Sequence, residues 1–212
     1  MRIYNTQVYG IEETIIRSSY PMLSKPLGED EFSRLKFCLT IDIANDIIYE
    51  NPHFKRMCRL GVAKAGSGHD CALKGIIVQA DIEATGYWWQ QFQRYHFQDI
   101  ISSMSKMHRV LKFDLDTQLT ERVKPKAKEA FIEAVKEYNA DSSLGLEHVL
   151  DNAPGGLLLV AGVSLNYLQI KSMYAQRHTH RLEMWNDIFA DWVHGLPFAK
   201  EFGLLKEAAN ES

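Results

Sequence analysis

Cysteine is scarce: Cys38, Cys58 and Cys71 are the three in 212 residues, and no two share a CxxC spacing. An odd, scattered set excludes a disulfide framework and a cysteine-based zinc site, and it fits a reducing compartment. Long apolar runs are also missing. GGLLLVAGV at 155–163 falls well short of the about 20 residues needed to cross a bilayer, and MRIYNTQVYGIEETIIRSSYP lacks the apolar core of a signal peptide. A cytoplasmic protein with no membrane partner is expected. There is no excess of positive charge either. The chain carries 24 basic and 27 acidic residues, a net charge of −3, so a nucleic-acid polymer is not an expected partner and any anion site must be local. The glycine-rich AKAGSGHD lacks the Gly-Lys-Ser/Thr ending of a phosphate loop. With no internal repeat, low-complexity tract or clean linker, residues 1–212 read as a single domain, and 46% hydrophobic content is enough for a core.

What is present alternates between strand and helix patterns. RIYNTQVYG predicts a strand, GIEETIIRSSYPM a short amphipathic helix that stops at Pro21, and residues 32–62 mainly helix interrupted at Pro52. ALKGIIVQADIEAT, rich in β-branched residues, is the best strand pattern in the chain. GYWWQQFQRYHF is helical in period, ISSMSKMHRVLKFDLD is less regular, and KPKAKEAFIEAVKEYNA predicts a surface helix. Two further helices are expected at about 163–177 and 181–194, the second with Leu182, Trp185, Phe189 and Trp192 on a core-facing side. The fold class is therefore α+β. Residues beyond Lys206 are expected to fray.

Three constellations carry chemistry. NYLQIKSMYAQRHTHR runs into a knot of potential cations, Lys171, Arg177, His178, His180 and Arg181, while Asn166, Gln169, Met173 and Arg177 share one helical face. Two amides and a guanidinium in a row suit a base edge and an anionic oxygen. A solvated face with a basic last turn is the plainer alternative. QRYHFQDIISSMSKMHR gathers Arg94, His96, Ser102, Ser103, Ser105, His108 and Arg109, hydroxyls and cations of the kind a nucleotide phosphate needs, or else helix caps. Tyr87, Trp88 and Trp89 upstream suit stacking on a flat ring or, more ordinarily, core packing. His69 and Asp70 follow the glycine loop as a catalytic pair or as a local turn. His178, His180, Asp114 and Asp116 are possible metal ligands of a hydrolase, but the flanking arginines favour an anion at 177–181, so no metal is expected.

Two of these segments together resemble the flavin-dependent thymidylate synthases. That family carries R-H-R-x-x-S-x-N-E-x-S-x-R-Y and, later, a helix N-x-R-x-L-x-x-F-x-x-L-R followed by a second helix. NYLQIKSMYAQR reproduces the spacing from Asn166 to Arg177, and LEMWNDIFADW is similar to the helix that follows. In the signature, Ser105 takes the place of the second serine and His96 that of the histidine. Tyr95 and Phe97 replace its flanking arginines, Ser102 and Ser103 its Asn-Glu, and Met107-His108 its Arg-Tyr. The resemblance covers about residues 66–195. It implies a thymidylate-synthase-complementing-protein-like fold with a central, mostly antiparallel sheet, and a homotetramer with active sites between subunits. It implies FAD as cofactor, with methylenetetrahydrofolate and NADPH as co-substrates and dUMP or a related pyrimidine deoxynucleotide as substrate. Arg177 would polarise the base, Asn166 and Gln169 would orient it, and Ser103, Ser105 and Arg109 would hold its phosphate. Arg94, His96 and His69 would face the flavin. The replaced arginines leave open a flavin-free, non-catalytic nucleotide-binding protein on the same scaffold.

Overall fold

The computed structural model describes residues 1–64, 67–95 and 99–205. Its sheet has four antiparallel strands in the order β1-β2-β4-β3, where β1 is Arg2–Tyr9, β2 Ile77–Thr85, β3 Asp99–Ser103 and β4 Leu158–Asn166. Helices fill the intervals: α1 Ile11–Arg17, α2 Glu29–Ala44, α3 Pro52–Gly61, α4 Gly86–Phe92, α5 Lys106–Arg109, α6 Pro125–Ala140, α7 Leu146–Asp151, α8 Tyr167–Arg177 and α9 Ala190–His194. A wide π-helical stretch, Met184–Phe189, leads into α9. The chain divides into two compact units: one of Met1–Asn5 with Ala80–Val163, the other of Thr6–Gln79 with the described residues from Ser164 onward. Among the described residues no helix is long and apolar enough to cross a membrane.

Local chemistry explains several element boundaries. In the second unit, α1 starts after Gly10, whose φ of 80° a side chain would resist and whose Cβ would press on the Gly75 carbonyl. Glu12 and Glu13 in its first turn and Arg17 in its last complement the helix dipole. Asn51 caps α3 by accepting from the His53 N–H, and Pro52 follows at the first helical position, where its missing N–H costs nothing. The core of this unit is aromatic. Phe54 meets Phe198 edge-on at 5.0 Å and Phe202 at 5.6 Å, and Trp185 meets Phe189 at 5.2 Å. Tyr167 is fully buried, so its hydroxyl donates to the Pro197 carbonyl at 2.8 Å, and burial pushes its pKa up.

The first unit has a smaller centre. Val110, Phe131 and Val149 are buried together, joining the segment after α5 to α6 and α7. On α4, Trp88 stacks on Phe92 at 5.0 Å, and the Trp89 indole N–H donates to the Leu159 carbonyl at 3.2 Å. Core packing is therefore the fate of both tryptophans, whereas Tyr87 is exposed. In β2, Val78, Ala80, Ile82 and Ala84 are buried in alternation, the period-2 signature the sequence displays.

The structure corrects two boundaries. The helix expected from 163 starts only at Tyr167, because Leu158–Asn166 is the strand β4. The irregular-looking ISSMSK stretch begins inside β3, an edge strand whose five residues are all exposed. An all-exposed strand has no buried face, so no alternation of apolar and polar residues marks it in sequence.

Candidate functional site

The strongest expectation concerned α8, and the structure builds that helix from both ends. At its start the Asn166 side-chain oxygen accepts from the Gln169 N–H at 3.0 Å, and the Gln169 side-chain oxygen accepts from the Asn166 N–H at 2.7 Å. This reciprocal capping box satisfies two N–H groups that a helix start leaves without partners. The side-chain oxygens of the two residues expected to orient a base thus make bonds that hold the helix start in place. Gln169 and Met173 are buried, so the shared face is packed rather than solvated, and Arg177 lies at its partly exposed end.

Arg177 closes α8, with its guanidinium carbon 5.3 Å from the centre of the Trp185 ring. A planar cation laid on an indole face is held in orientation. His178 stacks on Tyr174 with ring centres 5.1 Å apart, and the Tyr174 hydroxyl lies 3.0 Å from His194 Nε2. His180 turns back on its own chain, its Nδ1 accepting from the Leu182 N–H at 3.1 Å, a bond that an imidazolium cannot accept. Its pKa is held below the ordinary 6.5 by burial first, then by the Arg177 and Arg181 charges. The folded ring binds its proton less readily than the unfolded one, so His180 opposes the fold as pH falls through 6.5. By NMR titration its midpoint should lie below that of an unstructured histidine and rise in Arg177→Ala. An unmoved midpoint would remove Arg177 as a contributor.

Lys171, counted in sequence among the cations of this helix end, is not there. It is buried against Asp70 at 2.8 Å. His69, by contrast, is exposed at the start of the 3-10 turn His69–Gly75, just after Gly68 in the left-handed region.

In the first unit, Arg94 follows α4 and is exposed, as are Ser103 at the end of β3 and Arg109 at the end of α5. Ser105 caps α5, its oxygen accepting from the His108 N–H at 3.2 Å, which leaves its hydroxyl hydrogen to donate elsewhere. Ser103, Ser105 and Arg109 thus fall within one strand end and one helical turn. His96 lies outside the described residues, as do the terminal residues from 206.

The alternative metal ligands are each occupied. Asp114 accepts from the Thr117 hydroxyl and the Asp116 N–H, which hold its carboxyl below the usual carboxylate range, and Asp116 pairs with Lys128. Among the described residues no three His, Cys, Asp or Glu side chains gather to hold a metal ion. Burial pushes the Cys58 thiol up to about 11, far from a reactive thiolate. Hollows of about 390 and 400 Å³ in the second unit lie beside Tyr20, Leu23, Lys25, Leu27 and Phe32, and neither is lined by a residue the sequence singled out.

Comparison with known proteins bears on the fold. No family model matches the chain, and no curated protein does. Two solved structures of the flavin-dependent thymidylate synthase ThyX from Helicobacter pylori, both with FAD and dUMP, are similar to it. One has a TM-score of 0.65 at 11% identity over 96% of this chain and 98% of that one; the other has 0.66 at 11% over 98% and 100%. The chain shares its α+β fold with those two structures over 96–98% of its length.

Proposed function

We propose that the chain binds a pyrimidine deoxynucleotide and, with FAD, modifies C5 of its base in the manner of a flavin-dependent thymidylate synthase. The observation that carries this reading is the whole-length likeness to enzymes holding FAD and dUMP, coupled to a guanidinium at the end of α8 where the motif puts its last arginine. Arg177 would donate to a uracil oxygen, drawing electron density from C5–C6 and so making the ring more electrophilic. Trp185, in contact with the guanidinium, would hold it in plane. Ser103, Ser105 and Arg109 would take the phosphate through two hydroxyls and one cation.

The side chains present suit an anionic flavin nucleotide, since Arg94 is an exposed guanidinium and His69 an exposed imidazole. When bound, FAD supplies hydride transfer. Methylenetetrahydrofolate would supply the carbon and NADPH the reducing equivalents. No cysteine lies in residues 94–109 or 166–192, the two stretches that carry the motifs, in keeping with a route that needs no thiol attack on the base. The open β3 edge, next to Ser105, fits a homotetramer in which further copies complete the site.

One feature favours a second reading, a flavin-free nucleotide-binding protein: Tyr95 and Phe97 stand where the signature has arginines. Each lost charge-assisted bond removes about 1.5–3 kcal/mol of phosphate binding. A visible spectrum decides between the two. Purified protein mixed with FAD and dUMP and freed of unbound ligand is expected to keep the yellow flavin bands. A colourless protein that retains dUMP would replace the enzyme reading with the second, and one that retains neither would end both.

A further inference from the structure

Asp70 and Lys171 are the buried charged side chains among the described residues, and they are partners. An ammonium has three protons, and Lys171 directs all three within the second unit: to the Gly61 carbonyl at 2.9 Å, the Ala63 carbonyl at 3.2 Å and the Asp70 carboxylate at 2.8 Å. Gly61 is the last residue of α3, where carbonyls lack helical partners and the dipole is negative, so a cation is well placed there. Ala63 and Asp70 bracket the glycine-rich segment. One side chain of α8 therefore closes the neck of that segment and fixes the point from which His69 emerges.

Stability alone does not account for this arrangement. Two charges taken out of water lose most of what they gain from each other, and well-packed apolar residues in their place are commonly as stable or more so. What an ion pair with three directed bonds does supply is a single geometry. Lys171 also lies six residues before Arg177 on the same helix, about 9 Å along its axis.

We propose that Lys171 is a positioning residue. It welds the chain on either side of the glycine-rich segment to α8, so that His69 and Arg177 are carried on one rigid frame and meet the bound cofactor and nucleotide without reorganisation. This rests on the reading given under Proposed function, in which His69 faces the flavin.

The test separates positioning from support by comparing wild type, Lys171→Met and the double variant Asp70→Leu/Lys171→Met. Lys171→Met strands a buried carboxylate and is expected to melt well below wild type, while the double variant recovers most of the loss. Despite that recovery, backbone amides from Ser67 to Cys71 in the double variant should exchange hydrogen at least tenfold faster, and FAD affinity should stay at least tenfold weaker. Wild-type exchange and wild-type FAD affinity in a stable double variant would overturn the proposal. If the double variant does not fold, Asp70→Asn, which keeps shape and an acceptor, takes its place and should show accelerated exchange at the same amides; unchanged exchange there would also overturn it. Should wild type bind no FAD, the functional reading fails by itself, and exchange at Ser67–Cys71 still decides whether Lys171 holds the segment.

Discussion

Arg177→Ala is expected to weaken dUMP binding about ten- to a hundredfold and to abolish turnover, with the fold intact. The side chain ends α8 against Trp185, and the proposed role is a charge-assisted bond to a base oxygen. Bonds of that kind are worth about 1.5–3 kcal/mol, which converts to the stated range in Kd. Loss of the contact with the indole costs about 0.5–1 kcal/mol at a partly exposed position, too little to unfold a chain of this size. Calorimetric titration with dUMP and a thermal melt on the same sample therefore separate the two effects. Arg177→Lys keeps the charge but not the planar fork, and it should recover only part of the affinity. Wild-type dUMP affinity in Arg177→Ala would remove Arg177 from the site.

The end of α8 could be located from sequence because its information is local. Eleven residue steps from Asn166 to Arg177 turn almost back to the same face, and the structure ends the helix at Arg177. Its beginning was equally local: Asn166 and Gln169, at a separation of three, form a capping box, which starts the helix at Tyr167 rather than at 163. β4, by contrast, was hidden. It lies between β2 and β3 in the sheet, and LLVAGVSL has the near-continuous apolar run that strand and buried helix share.

Lys171 shows the firmer limit. By composition it belongs with its neighbouring cations. Its direction is set by Asp70, 101 positions earlier, and by carbonyls at the end of α3. Nothing within a helical window encodes such a partner. The residues from Ser103 to Arg109 are close in sequence and stay so in the structure, because they fall on consecutive short elements rather than on distant ones.

Gly61→Ala is expected to destabilise this chain, although it swaps a poor helix former for the best. Propensity alone would favour alanine by about 1 kcal/mol in a helix. The space forbids it: a Cβ at Gly61 would lie 2.6 Å from the Phe202 carbonyl oxygen, 2.9 Å from its Cα and 3.0 Å from its carbonyl carbon. All three are backbone atoms, so no rotamer change relieves the contact. The opposing segment is equally constrained, because Gly203 has a φ of 70° and a Cβ there would meet Val62 Cα at 3.0 Å. The two segments approach through a pair of glycines, and Phe202, tilted against Phe54 with ring centres 5.6 Å apart, would be pushed out of the aromatic core. The displaced Gly61 carbonyl is also one of the acceptors of Lys171. Overpacking of this kind costs about 1–3 kcal/mol, and the strained lysine bond adds to it, so a net loss near 2 kcal/mol remains after the propensity gain. For a chain of this length that lowers the melting temperature by about 4–8 °C. Gly86→Ala is the matched control: it opens α4, nothing lies within 4 Å of its would-be Cβ, and its melting temperature should equal or slightly exceed wild type. If Gly61→Ala melted with that control, the close approach of α3 to Phe202 would be wrong, and the carbonyl geometry on which Lys171 depends would fall with it.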